Sequence, residues 1–115
     1  DRPEEAVEML TRIRQDITAR NPLTPLLVFD LGNLYEKMEN LEKSAASFQE
    51  LTTYDGFAAS AYVNLGRIYE QQDQPEKAAE MYRKYLVLAD EGQELQPGGM
   101  PDRQIIESRI KLLQD

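Results

Sequence analysis

The sequence predicts an all-α fold, a stack of antiparallel helix hairpins with about six helices. Three observations carry that expectation. A block of sequence is repeated: Leu31-Gly32-Asn33-Leu34-Tyr35-Glu36 comes back as Leu65-Gly66-Arg67-Ile68-Tyr69-Glu70. Apolar residues within each copy fall at helical spacing. The helices of each copy are joined by short linkers, Glu39-Asn40 and Asp73-Gln74, which force them to run antiparallel. A period of about 34 residues is that of stacked helical units, each too small to bury its apolar face alone.

From the N-terminus, residues 3–19 form an amphipathic helix with Ala6, Leu10, Ile13 and Ile17 in one stripe. Its opening Pro3-Glu4-Glu5-Ala6 matches Pro75-Glu76-Lys77-Ala78, so it reads as the second half of a repeat whose first half is absent. The alternative is a plain N-terminal capping helix. The connection that follows includes Pro22 and Pro25. A helix over 24–38 carries Val28, Leu31, Leu34, Tyr35 and Met38, and one over 41–54 carries Leu41, Ala45, Phe48 and Leu51. Asn40 is placed to cap the latter. The next pair spans 58–72 and 75–90. Asp73 with Glu76 has capping-box spacing, and Pro75 suits a first turn. Gly56 and Gly92 lie where the second helices should stop. Residues 93–100, including Pro97-Gly98-Gly99, read as a loop. Asp102 then opens a helix to about residue 114, with Ile106, Ile110 and Leu113 on its apolar face.

Small residues recur at Gly32, Ser44, Gly66 and Ala78. Glycine inside a helix costs about 1 kcal/mol against alanine, so its double occurrence points to close helix crossing as the compensation. Tyr35, Phe48, Tyr69 and Tyr82 would fill the volume beside each crossing. With Leu31 and Leu65, these form the expected helix-packing set.

Composition narrows the function. The 115 residues include no histidine and no cysteine, which removes the commonest general base, the commonest metal ligand and any thiol nucleophile. No phosphate-cradling glycine motif or nucleophile signature is present, so no enzyme activity and no cofactor are expected. A net charge of −8 opposes phosphate backbones and anionic lipid. Arg12, Arg14 and Arg20, and Arg83-Lys84, lie among acids, which argues against nucleic acid. Carboxylate pairs such as Glu4-Glu5, Glu39/Glu42 and Asp73/Glu76 sit at helix starts, where they favour the dipole. The longest apolar run, Leu26 to Phe29, is far short of a membrane span, so a membrane is reached only through a tether outside this sequence.

On these residues the chain resembles two tandem tetratricopeptide repeats, at 25–58 and 59–92, within a single domain over 1–115. Residues 1–24 are then a partial repeat or cap, and 93–115 a loop and C-terminal capping helix. The pattern is carried by Val28, Leu31, Gly32, Tyr35, Ser44, Phe48 and Leu51, and by Tyr62, Leu65, Gly66, Tyr69, Ala78, Tyr82 and Tyr85. Val28 stands for the usual tryptophan, Leu51 and Tyr85 for a small residue, and Gly56 and Asp90 for the closing proline. The bulk of Tyr85 implies that the helix after it packs differently. The resemblance implies a right-handed superhelix whose first helices line a concave groove. It also implies a protein-interaction module that takes a peptide segment or helix of a partner there. Groove positions map to Phe29, Asn33, Glu36, Val63, Asn64, Arg67 and Glu70. Asparagine pairs with both N–H and C=O of an extended peptide, arginine forks onto a carboxylate, and Phe29 and Val63 offer an apolar floor. A subclass that grips a C-terminal carboxylate is matched at Asn33 and Asn64 but not at Phe29, where its first lysine belongs. The other reading is a structural or self-association segment, stacking within a longer repeat protein or end to end as a homodimer. No small-molecule substrate and no particular compartment is indicated.

Overall fold

The computed structural model describes residues 2–17, 20–90 and 103–114. Among them are six helices and no strands: α1 (Arg2–Asp16), α2 (Thr24–Lys37), α3 (Leu41–Leu51), α4 (Ala58–Gln71), α5 (Pro75–Asp90) and α6 (Arg103–Gln114). α2 pairs with α3 and α4 with α5. The hairpins stack through α3 on α4, with α1 packed on α2 and α6 on α5. The extents, 43 × 29 × 18 Å, are those of an elongated stack.

Each hairpin closes over a glycine. A Cβ built on Gly32 would lie 2.8 Å from the ring of Phe48, and one on Gly66 would lie 2.4 Å from the ring of Tyr82. Neither distance is open to real carbon atoms, so only glycine lets the ring edge come so close to the facing helix. Phe48 is fully buried and Tyr82 nearly so. At the same crossing Ser44 is fully buried, and its hydroxyl donates to the Gly32 carbonyl at 2.8 Å. Ala78 takes the equivalent place in the second hairpin, also fully buried and without a hydroxyl to satisfy. Leu31 and Leu65 join the core. Tyr35 is half-buried, with Lys43 5.6 Å from its ring; Lys77 lies 5.7 Å from the ring of Tyr69. The same cation–ring pair thus recurs one repeat later. The Tyr69 hydroxyl also accepts from Gln49 Nε2 at 2.6 Å, tying α4 to α3.

Several local expectations are corrected. α1 ends at Asp16 and α3 at Leu51, each short of the expected stop. After α3 the chain tightens into i−3 hydrogen bonds, Thr53 to Glu50 and Tyr54 to Leu51, and the Thr52 and Thr53 hydroxyls bond back to the Gln49 and Glu50 carbonyls. Gly56 therefore sits in the connector rather than beside the helix end, although its φ of 84° does need glycine. Pro25 lies in the first turn of α2, where its missing N–H has no helical partner to lose. Asn40 does cap α3, its side chain accepting from the Lys43 N–H at 3.2 Å. Asp73 does not cap α5. It lies one residue too early, at φ 58°, and completes the end of α4 instead. Gly92, the 93–100 loop and Asp102 lie outside the described residues.

The two hairpin connectors share one geometry. Glu39 donates to Glu36 O and Asn40 to Tyr35 O; Asp73 donates to Glu70 O and Gln74 to Tyr69 O. Each is a Schellman closure with a left-handed residue at its bend, and here that residue is an acid instead of glycine.

Tyr85 and Leu51, the bulky residues where the repeat pattern has small ones, are 1% and 0% exposed. α6 packs on α5 through Ile106 and Ile110. Its alignment with the stack differs from that of α4. Arg67 meets an acid 31 residues earlier, whereas Arg109 meets the equivalent acid 39 residues earlier.

Two stability changes follow. Gly66→Ala should lose about 1–3 kcal/mol despite alanine's better helix propensity, and Gly66→Leu more, because the buried Tyr82 ring has little room to withdraw. Urea midpoints of the two variants check this; a gain for alanine would mean that the crossing is looser than described. Asp73→Gly should raise stability by about 0.5–1 kcal/mol by removing left-handed strain at the α4 end, read as a higher melting temperature.

Candidate functional site

The first helices of the hairpins and α6 share one face, and side chains bridge it. The Arg67 guanidinium on α4 forks onto Glu36 of α2, with Nε–Oε2 at 3.0 Å and Nη2–Oε1 at 2.6 Å. Gln71 donates to the same carboxylate at 2.8 Å. One repeat further, Arg109 Nε on α6 reaches both oxygens of Glu70 on α4, at 2.9 and 3.0 Å. Glu70 also accepts from the Tyr82 hydroxyl. Glu36 and Glu70 hold the same position in successive repeats, so the repeat itself sets the rungs of this ladder.

The face holds its polar groups unequally. The Asn64 amide turns back on its own helix, donating to the Ser60 carbonyl at 2.8 Å. Glu36, Arg67 and Glu70 are committed to partners on neighbouring helices. Asn33 is half-buried and has no hydrogen-bond partner among the described residues. Phe29 and Val63 are partly buried against the core, Phe29 edge-on to Phe48 with ring centroids 6.1 Å apart. Leu26, at the start of the same face, is 43% exposed.

Sequence reasoning missed the contribution of α6. Ile105, Arg109 and Leu112 stand at i, i+4 and i+7, one side of a helix, and Arg109 aims that side at α4. Ile105 and Leu112 are 63% and 72% exposed, so they extend the shared face as an apolar edge. A shallow depression of about 400 Å³ is lined by Gln104, Ile105, Ser108, Arg109 and Leu112. A larger one, about 830 Å³, lies at the connectors between Met38–Glu42 and Gln72–Gln74. None of the expected groove residues lines it, and it is a wide opening among loop-end glutamates and glutamines without converging groups.

Among the described residues, no group of three or more acids is placed to hold a metal ion, and no helix is long and apolar enough to cross a membrane.

The charge ladder has a pH signature. The Arg67 hydrogen bond holds the Glu36 carboxyl below the usual carboxylate range, against the opposing pull of partial burial. A folded value below the unfolded one, about 4.3, stabilises the fold above that pH and is lost as pH falls through the depressed value. On going from about pH 7 to about pH 3, the parent chain should therefore lose more stability than Glu36→Gln. The excess is at most about 1 kcal/mol, because the Arg67 side chain is 42% exposed. Urea melts at both pH values measure it. Equal losses would show that the fork contributes nothing.

A search of curated proteins gave no match to the chain. A family model described as a tetratricopeptide repeat matches residues 29–93, more than half of the sequence, which takes in α2 to α5 almost whole. With two glycine-notched hairpins in the same span, the chain belongs to the tetratricopeptide repeat family.

Proposed function

We propose that the chain captures an extended peptide or a helix of a partner protein along the face shared by α2, α4 and α6. Tetratricopeptide repeats are in general protein-interaction modules. The observation that carries the finer reading is the unpartnered Asn33 amide, set between the partly buried Phe29 on its own helix and the Glu36–Arg67 fork. The fork and the Glu70–Arg109 bridge hold three helices in fixed relation, so docking orders little that is not already ordered. Asn33 then supplies both a donor and an acceptor to a peptide backbone, and Ile105 and Leu112 supply apolar contact at the edge.

The fork also shapes selectivity. A ligand carboxylate approaching Arg67 competes with Glu36 and meets the negative charge of Glu36 and Glu70. Neutral or apolar segments are favoured over acidic ones. An affinity near the micromolar level, roughly −8 kcal/mol, suits a face of this size.

The test is selection of peptides by the immobilised chain from a random library, followed by calorimetric titration. Asn33→Ala and Ile105→Asp should each weaken binding by about tenfold while leaving the melting temperature nearly unchanged, since neither residue bridges helices. Arg67→Ala is a poorer probe because it also breaks the fork. Peptides whose affinity ignores both substitutions would place the binding surface elsewhere.

A further inference from the structure

We infer that Asp55 is a site of spontaneous isoaspartate formation, at which the connector between α3 and α4 changes from an α-linked to a β-linked backbone without an enzyme. The inference does not depend on the groove reading above. It stands on the residue pair, on its exposure and on a peptide plane that nothing holds.

Asp55-Gly56 is the one place in the sequence where an aspartate or asparagine precedes glycine. Glycine has no Cβ to shield its nitrogen. A Cβ built on Gly56 would meet nothing within 4 Å, so the surroundings are open as well. Asp55 is exposed, and among the described residues its carboxylate has no hydrogen-bond or ion-pair partner to hold it away. By contrast Asp16, Asp30 and Asp90 lie in helices, and Asp73 precedes Gln74.

The Phe57 N–H donates to Tyr54 O at 3.1 Å, and Gly56 alone of the two residues between them has a positive φ, 84°. Asp55 and Gly56 are therefore the central residues of a type II turn. The bond that closes the turn spans its central peptide without using it. Neither the Asp55 carbonyl nor the Gly56 N–H has a hydrogen-bond partner among the described residues. The plane between them can turn with the closing bond intact, and that rotation carries the Gly56 nitrogen towards the carboxyl carbon. Inside a helix the same rotation would break backbone hydrogen bonds.

The reaction needs only water. The Gly56 nitrogen bonds to the side-chain carboxyl carbon of Asp55, and the amide proton and the carboxyl hydroxyl leave as water. The product is a five-membered succinimide. Water then adds to one of its two carbonyls. Opening at the side-chain carbonyl restores aspartate, and opening at the main-chain carbonyl leaves isoaspartate. The chain then runs through the former side chain, one carbon longer, and carries a free carboxylate where the carbonyl was. Tyr54 and Phe57, which flank the turn, are packed against the core, and the hairpins stack through α3 on α4. The longer connector therefore loosens that stack as the protein ages.

The test incubates the full chain in water enriched in heavy oxygen, at neutral pH and physiological temperature. Tryptic peptide 44–67, in which Asp55 is the sole aspartate, is then sequenced by electron-transfer fragmentation, which distinguishes isoaspartate from aspartate. Isoaspartate should accumulate at Asp55 with one heavy oxygen, at a rate within about tenfold of that in a synthetic peptide of residues 51–59. Asp55→Glu should abolish it without changing the melting temperature of the fresh chain. Asp55→Asn should give the same product faster, losing ammonia instead of water. The separated isoaspartyl chain should melt below its parent. A reactive peptide beside an inert full chain would overturn the inference, as would product without heavy oxygen, equal conversion at the other aspartates, or an isomer that melts like its parent.

Discussion

The fold depends on two places where an aromatic ring lies directly on a helix backbone. Phe48 over Gly32 and Tyr82 over Gly66 bring paired helices closer than any side chain would allow. Everything else is arranged around that approach. The small residues Ser44 and Ala78 let the facing helix come equally near, and the short connectors keep the pair antiparallel. The connectors accept a left-handed acid at each bend, a strain of about 1 kcal/mol that close packing offsets. A helical glycine and a strained bend are both unfavourable locally. Their recurrence at the same repeat positions shows that tertiary contact, not local propensity, decides the structure here.

The two outermost described helices pack unequally on the hairpins. At the C-terminal end α6 buries Ile106 and Ile110 against α5 and turns Glu107, Lys111 and Gln114 outward, a polar surface suited to water. Its ion pair from Arg103 to Asp90 and its bridge from Arg109 to Glu70 fix it to both helices of the last hairpin. At the N-terminal end α1 buries nothing completely. The hydrophobic driving force is therefore concentrated in α2 to α5.

The helices were legible in the sequence because the recurrence of the Leu-Gly block and the apolar spacing agree with one another. Helix ends were less legible. The Asp73–Glu76 spacing imitates a cap, yet α5 starts at Pro75 and leaves Asp73 to close α4. Thr52 and Thr53 end α3 early through hydroxyl bonds to their own helix, a competition that apolar periodicity does not register. On the candidate face, the residue types were visible but their partners were not. An arginine that forks onto a ligand and one that forks onto Glu36 look alike in sequence, because the difference lies in a contact 31 residues away. The share of α6 was hidden for the same reason: its spacing from the last repeat departs from the period of the other two, so pattern matching could not align Arg109 with Arg67.

That distinction changes how the face works. Were Arg67 free, it would dominate recognition as the strongest hydrogen-bonding group available and would draw acidic segments. Tied to Glu36 and backed by Gln71, it becomes a strut that sets the distance between α2 and α4. Its positive charge is cancelled where a partner would feel it. Under the proposed function, recognition would then pass to groups that carry no charge: the Asn33 amide and the apolar side chains of Leu26, Ile105 and Leu112. A surface of that kind would read backbone and shape. In a chain of net charge −8, such neutrality would keep the general repulsion of acidic partners intact while leaving neutral ones free to dock.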